Sequence, residues 1–228
     1  DYLGAQGTLA TAKNSKLSVI TPQTENASQA FLNLVHRREL GSPDEQSMGA
    51  AVWAIRRARS ENAGFFREGV DLAIVVLTDE DELSYGPKFA TQPEEVIRTF
   101  RNVFGTTKRL SAYGIIIQPG DQTCLKAQQE EDMGSTYATF ASRLAKMTGG
   151  FTTSICDADY GRDLDQISDH VRKLVDAIDL QQTPIEGSVT VSFSGGFSTR
   201  FTVQKNRVTF STPPPAGTQI EVKYQVNP

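Results

Sequence analysis

The chain has 228 residues and a formal net charge of −4, which suits one large domain or one domain with a small appendix. Twelve Phe and six Tyr provide enough apolar surface for a core. The acids and bases are interspersed without a basic stripe, which argues against nucleic acid as a partner. The longest apolar run, residues 72–77, is too short to cross a bilayer, so no transmembrane segment is expected.

Apolar runs and helical patterns alternate along the first 182 residues. Helices are predicted over residues 44–59, 92–104, 135–147 and 162–180, and strands over residues 72–77, 112–118 and 150–156. The first strand does not alternate, which is typical of a parallel strand buried on both faces. Residues 120–134 are predicted to be a solvated loop. This order predicts an α/β fold with a Rossmann-like, doubly wound, mainly parallel sheet, whose ligands bind at the C-terminal ends of the strands.

The periodicity changes from 3.6 to 2 beyond residue 182. We therefore predict two domains, residues 1–182 and a small antiparallel β module over residues 183–228. Four short strands are expected there, with Thr190, Ser192, Gln204 and Lys223 on the outer face. The module is too small to fold alone with certainty and is expected to pack on the first domain through its other face.

The sequence Thr78-Asp79-Glu80-Asp81-Glu82 follows the first predicted strand directly. Four consecutive carboxylates repel one another unless solvent or a cation offsets their charge. Mg²⁺ and Ca²⁺ prefer such oxygen ligands, so a cation site at the strand end and a solvated acidic loop are the two interpretations.

Two other features carry chemistry. Residues 41–46 open a predicted helix, where Ser42 or Asp44 would act as an N-cap. Cys124 and Cys156 lack a CxxC or His-Cys arrangement, so zinc is not expected, and their spacing leaves a disulfide and two buried thiols as alternatives. Motifs for acyl transfer, nucleotide binding and dinucleotide binding are absent from the sequence.

Several segments together resemble bacterial envelope proteins of the von Willebrand factor A (VWA) family, the adhesins with a metal-ion-dependent adhesion site. They are Ile-Thr-Pro-Gln-Thr-Glu-Asn at residues 20–26, Gly-Ser-Pro-Asp-Glu-Gln at residues 41–46 and Val-Val-Leu-Thr-Asp-Glu-Asp at residues 75–81. The resemblance continues at Cys124, at residues 149–150 and 154–157, and in the closing module at residues 214–222.

The resemblance implies a cation, Mg²⁺ or else Ca²⁺ or Mn²⁺, held by three loops. Asp79, preceded by Thr78, matches the third loop, and residues 42–46 map onto the second. The second loop has no threonine, so Glu45, Asp44 or Ser42 would replace it. Partners would be bound by the residues around the cation, which are Thr78, Asp79, Glu80 and Asp81. The cysteines match a family pattern that implies a Cys124–Cys156 disulfide.

The function implied is adhesion or ligand binding without enzymatic activity, at an extracytoplasmic location, with a protein or cell-surface ligand as partner. The family's first loop, DxSxS, does not occur in this sequence. We therefore expect roughly 50–100 further residues upstream, with two strands, this loop and room for a lipid anchor. These 228 residues are expected to bind metal more weakly than a polypeptide that includes that segment.

Two alternatives stay open. A Mg²⁺-dependent phosphohydrolase of the haloacid dehalogenase type also has an Asp-x-Asp motif at a strand end, as in Asp79-Glu80-Asp81, and would use Asp157 and Asp159 as a second carboxylate pair. A structural envelope domain with an inactive metal site is the other alternative.

Overall fold

The structure, a computed structural model, describes residues 6–11, 17–35, 45–67, 70–86, 88–105, 108–214 and 218–227. The chain divides into two compact units. The first is drawn from Asp1–Arg67 and Ile74–Asp157, and the second from Glu68–Ala73 and Ala158–Pro228.

A three-stranded parallel sheet with flanking helices forms the first unit, apart from the first two residues of its first strand. Its elements are α1 (Ala27–Val35), α2 (Ser47–Arg56), β1 (Leu72–Thr78), α3 (Pro93–Phe104), β2 (Leu110–Ile116), α4 (Gln122–Glu131), α5 (Thr139–Met147) and β3 (Thr152–Ser154). The strand order is β1-β2-β3, and β2 pairs in parallel with β3 from Gly114 opposite Thr152 to Ile116 opposite Ser154. The predicted α/β fold with a parallel sheet is confirmed.

The core of this unit surrounds β2, whose residues are buried from Ser111 to Ile116. Helix α5 lies against β2, and α3 packs on both α2 and α5. The largest apolar side chains that these helices bury are Met48, Val52, Ile55, Val96, Phe100 and Leu144. Gly150 lets the backbone return from α5 to β3, because a Cβ there would lie 1.9 Å from the Ala112 carbonyl oxygen.

The prediction that β1 is buried on both faces is wrong. In the described residues β1 is an edge strand of its sheet, and Val75 and Leu77 on one face are 44% and 62% exposed. Its apolar run matches a strand with neighbours on both sides, whereas the described part of the chain pairs only one of its edges.

The prediction of a loop over residues 120–134 is also wrong, because residues 122–131 form α4. The Asp121 side chain caps this helix by accepting a hydrogen bond from the Cys124 N–H at 3.0 Å. Cys124 is buried and forms a disulfide with Cys156, 32 positions later, so the predicted disulfide is confirmed. The bond ties α4 to the segment that follows β3.

The second unit contains α6 (Tyr160–Val175), β4 (Ala177–Asp179), β5 (Thr190–Phe193), β6 (Phe201–Gln204), β7 (Arg207–Phe210) and β8 (Ile220–Lys223). β7 pairs antiparallel with both β4 and β6, and β5 pairs antiparallel with β8. The four predicted strands are therefore present. The predicted helix over residues 162–180 is too long, since β4 occupies its last turn.

These strands enclose a small core of Leu180, Val208 and Phe210. The partly buried side chains packed against it are Ile178, Val189, Val191, Phe193, Phe201, Ile220, Val222 and Tyr224. Thr190, Ser192, Gln204 and Lys223 are all exposed, as the alternation predicts. No helix among the described residues is long and apolar enough to cross a membrane.

Candidate functional site

The four carboxylates that follow β1 form a turn, residues 79–82, which we call the acidic turn. Thr78, which directly precedes this turn, is buried. Its hydroxyl accepts the Glu80 N–H at 3.1 Å and donates to the Glu80 carbonyl at 3.2 Å. The Thr78 hydroxyl therefore stabilises the backbone at the start of the turn. Its predicted contact with a ligand stays a prediction, as does that of Glu80.

Asp79 is held by the loop between α4 and α5, residues 132–138. Its Oδ2 accepts a hydrogen bond of 3.0 Å from the hydroxyl of Ser135, which is fully buried. The Asp79 carbonyl accepts the Thr136 N–H at 2.9 Å. The same loop crosses the end of β2, where the Ala138 N–H donates to the Ile117 carbonyl at 3.1 Å. The hydroxyl orients the Asp79 carboxylate at the C-terminal edge of the sheet.

Asp81 uses both carboxylate oxygens within the protein. Oδ1 accepts the N–H groups of Glu82 and Phe140, each at 3.0 Å, and Oδ2 accepts the Thr139 hydroxyl. Asp81 thus supplies acceptors to the first turn of α5, where backbone N–H groups lack helical partners. This explains why α5 begins at Thr139 and not at residue 135 as predicted.

Glu82 has a similar role at α2, and it is only 2% exposed. Oε2 accepts the Met48 N–H at 2.5 Å and the Ser47 hydroxyl at 3.3 Å. Oε1 accepts the N–H groups of Gly49 at 3.4 Å and Ser84 at 3.2 Å. A buried carboxylate is stable here because four donors and the positive end of the helix dipole replace water.

Glu45, the second residue before α2, lies beside the end of the acidic turn. Its carbonyl accepts the Leu83 N–H at 2.7 Å. Partial burial and the nearby carboxylates of Asp79 and Glu82 together raise the pKa of Glu45. Glu45 thus lies near enough to Asp79 for the two charges to interact, while the other two predicted ligands, Ser42 and Asp44, lie outside the described residues.

The donors at this site suit a hard divalent cation. Asp79 and Glu45 supply carboxylates, and Ser135 adds a hydroxyl beside Asp79. Burial is the main cause that raises the pKa of Glu45, and the charges of Asp79 and Glu82 add a smaller contribution that a dication would offset. Because Asp81 and Glu82 are engaged at helix ends, the described residues present no group of three acidic, cysteine or histidine ligands to one metal ion. Further ligands would have to come from hydroxyls or from residues 42–44.

Sequence reasoning missed Ser135, Thr136 and Thr139. They bond to Asp79 and Asp81 from more than 50 positions away, so no local motif joins the two segments. A usable signal did exist, because hydroxyl residues just before a helical pattern are typical of a helix start. That start follows β2, whose C-terminal end lies at the same sheet edge as that of β1.

Comparison with known proteins gives no family assignment. No protein-family model matches this sequence, and no curated protein matches it either.

Proposed function

We propose that this chain is an extracytoplasmic ligand-binding module of the VWA type, which binds a protein or cell-surface partner at the acidic turn through a divalent cation, Mg²⁺ or else Ca²⁺ or Mn²⁺. The observation that carries the proposal is the pair formed by Asp79 and Glu45. Asp79 is oriented by the buried Ser135 hydroxyl, and the pKa of Glu45 is raised first by burial and then by the charge of Asp79. Two carboxylates arranged in this way favour a bound cation.

Asp79 and Glu45 would hold the cation, and Ser42 and Asp44 complete the proposed ligand set. When bound, the cation offers an oxygen of the partner a coordination position at the sheet edge. The residues of this chain supply rigidity. The Ser135 hydroxyl fixes one oxygen of Asp79, and the Thr136 N–H fixes its backbone. A preorganised carboxylate loses little conformational entropy when it binds.

The engagement of Asp81 supports a binding module in preference to a hydrolase. An Asp-x-Asp phosphohydrolase needs its second aspartate free to transfer a proton. Both oxygens of Asp81 instead accept hydrogen bonds at the start of α5. Asp159 likewise caps α6, accepting the Arg162 N–H at 3.2 Å. The disulfide supports an oxidising compartment, and hence an extracytoplasmic location.

Paramagnetic broadening by Mn²⁺ tests the cation site, because it detects even millimolar binding. In ¹⁵N spectra, the amide signals of the acidic turn and of Ser135 and Thr136 should broaden first, and Mg²⁺ should reverse the effect. Asp79→Asn keeps an acceptor for Ser135 but should weaken binding at least about tenfold, since it removes a charged ligand. Asp165→Asn, on the exposed surface of α6, is the matched control and should bind as the parent does.

Identical broadening in the Asp79→Asn variant and the parent would overturn the proposal. So would broadening that begins at the exposed carboxylates of α6 and not at the acidic turn. Turnover of a phosphate ester in Mg²⁺, lost in Asp79→Asn, would favour the hydrolase instead.

A further inference from the structure

The most exposed apolar side chains of the described residues lie on two loops beside the acidic turn. Met133, Phe89 and Tyr85 are 91%, 69% and 68% exposed, more than any other large hydrophobic residue described. Tyr85 and Phe89 belong to the loop that continues the acidic turn towards α3, and Met133 belongs to the loop that holds Asp79. Tyr, Phe and Met are enriched in protein interfaces.

The aromatic loop, residues 84–91, is closed at its base. The hydroxyls of Ser84 and Thr91, both buried, lie 2.7 Å apart, and the Thr91 N–H donates to the Ser84 hydroxyl at 3.1 Å. Tyr85 has a φ of +62°, in the left-handed region that a tyrosine rarely adopts. A strained residue held by buried bonds, with its ring in solvent, points to a functional constraint.

The Met133 loop, residues 132–138 between α4 and α5, is also fixed by hydrogen bonds. Asp132 accepts the Gly134 N–H at 2.9 Å, and Thr136 bonds to Asp79 through its N–H and to the Asp81 N–H, at 2.9 Å, through its hydroxyl. Both loops are therefore anchored to the acidic turn, the aromatic loop through the Ser84 N–H, which donates to Glu82, and the Met133 loop through Thr136.

The charge beside Met133 is negative and does not stabilise its own helix. Glu130 and Glu131 end α4, Asp132 is its C-cap, and no basic residue lies in the last turn. Carboxylates at a helix C-terminus oppose the helix dipole, so these positions are unfavourable for α4 itself. None of the ion pairs formed within the described residues involves them. The Asp132 carboxylate accepts the Gly134 N–H, so the charges that we assign to a partner are chiefly those of Glu130 and Glu131.

We infer that Tyr85, Phe89 and Met133 form the apolar rim of a docking surface for a protein segment that combines basic and apolar side chains. Residues 130–132 attract the basic groups, and the rim buries the apolar ones. An anionic membrane or a nucleic acid would be repelled by the same carboxylates. The inference deepens the proposed function, since it assigns a partner to the same edge of the sheet, and it depends on that proposal only for this location.

Methionine methyl NMR tests the rim directly, because the Met133 methyl group belongs to it. Met48, which is fully buried, and Met147, which is half exposed, serve as internal references. The probes are two short peptides that alternate leucine and phenylalanine with lysine in one case and with glutamate in the other. The lysine peptide should shift the ¹³C-methyl signal of Met133 and leave that of Met48 unchanged, and the glutamate peptide should have no effect. Tyr85→Ser combined with Phe89→Ser should weaken the lysine peptide about tenfold or more, since such anchors dominate interfaces. Phe65→Ser, at an exposed phenylalanine of the segment after α2, is the matched control and should leave affinity unchanged.

Repeating the titration with EDTA separates this inference from the cation site. Peptide binding that survives EDTA, together with a failure of Mn²⁺ to broaden the acidic turn, would overturn the proposed function and leave the rim. Broadening of the acidic turn by Mn²⁺ without any shift of the Met133 signal would overturn the inferred docking surface and leave the proposed function. Equal shifts with both peptides, or a shift on adding phosphatidylglycerol vesicles, would also overturn the inferred partner.

Discussion

Two acidic segments meet the same edge of the sheet: the acidic turn after β1, and residues 130–132 at the end of α4. In the acidic turn, Asp81 and Glu82 face the N-terminal ends of α5 and α2, where they accept backbone N–H groups. Glu130 and Glu131 lie at the C-terminal end of α4, where the helix dipole disfavours them. Both segments would look alike in a map of charge.

The hydrogen-bond donors around a carboxylate must be identified before a function is assigned to that carboxylate. Two of the four charges in the acidic turn stabilise helix ends, and a third, Asp79, accepts the Ser135 hydroxyl. At the end of α4, Asp132 accepts the Gly134 N–H, whereas Glu130 and Glu131 form no ion pair within the described residues. Four substitution experiments test this difference between the two segments.

The largest effect is expected on removing the disulfide, which holds α4 and its acidic end against the rest of the first unit. Cys124→Ala combined with Cys156→Ala should lower the free energy of unfolding by about 3–4 kcal/mol, because the unfolded chain regains the entropy of a loop of roughly 30 residues. Urea unfolding measures it, and reductant should destabilise the parent but not the variant. A loss under about 1 kcal/mol would mean that α4 is held by its other contacts.

Glu82→Gln should cost about 2–3 kcal/mol, because an amide group replaces a buried carboxylate oxygen that accepts hydrogen bonds at the start of α2. Thermal and urea unfolding measure the loss. Glu131→Gln is the matched change in the other segment and should cause no loss. Equal destabilisation by the two substitutions would erase the contrast between the segments.

Glu130→Gln combined with Glu131→Gln should raise stability by about 0.5 kcal/mol at low salt, since it removes two charges that oppose the dipole of α4. The gain should shrink as salt screens the charges. Glu94→Gln, in the first turn of α3, makes the same chemical change at the favourable helix end and should lower stability. The same sign for both would show that the dipole is not the cause.

The smallest effect is expected for Glu45→Gln without divalent cations. Burial and the charges of Asp79 and Glu82 raise the pKa of Glu45, so folding is weakened once this residue ionises. The parent should lose stability relative to the variant as the pH rises from about 4, near the pKa of an unfolded glutamate, towards neutrality. After screening by solvent, a few tenths of a kcal/mol are expected at pH 7. Melting temperatures across this pH range measure it, and a constant difference would contradict the assigned cause.

The sheet could be predicted from the sequence because β1 and β2 are largely apolar runs bounded by turns, and because the hydroxyl residues of β3 lie between the apolar Phe151 and Ile155. Helix α4 could not, because it has no apolar stripe and buries only Cys124. A cap and a disulfide define it, and neither is a periodic signal. Strand β4 could not be predicted because its sequence does continue a helical pattern. Ile178 continues the helical spacing of α6, yet its backbone pairs with Val208 of β7, and only the fold supplies that partner.

The candidate site divides in the same way. The acidic turn was visible because its carboxylates are adjacent and end a strand. Its hydroxyl partners were not visible, because Ser135 and Thr139 meet Asp79 and Asp81 only after two strands and α4 have been placed. The engagement of Glu82 with the start of α2 is equally non-local.

The bond between Ser84 and Thr91 has a consequence for how this surface can change. Since the aromatic loop closes on buried hydroxyls, its exposed positions Tyr85, Lys88 and Phe89 can be replaced without disturbing β1 or α3. The loop is in this respect a cassette. Residues can therefore be inserted or randomised between the two hydroxyls on an unchanged scaffold.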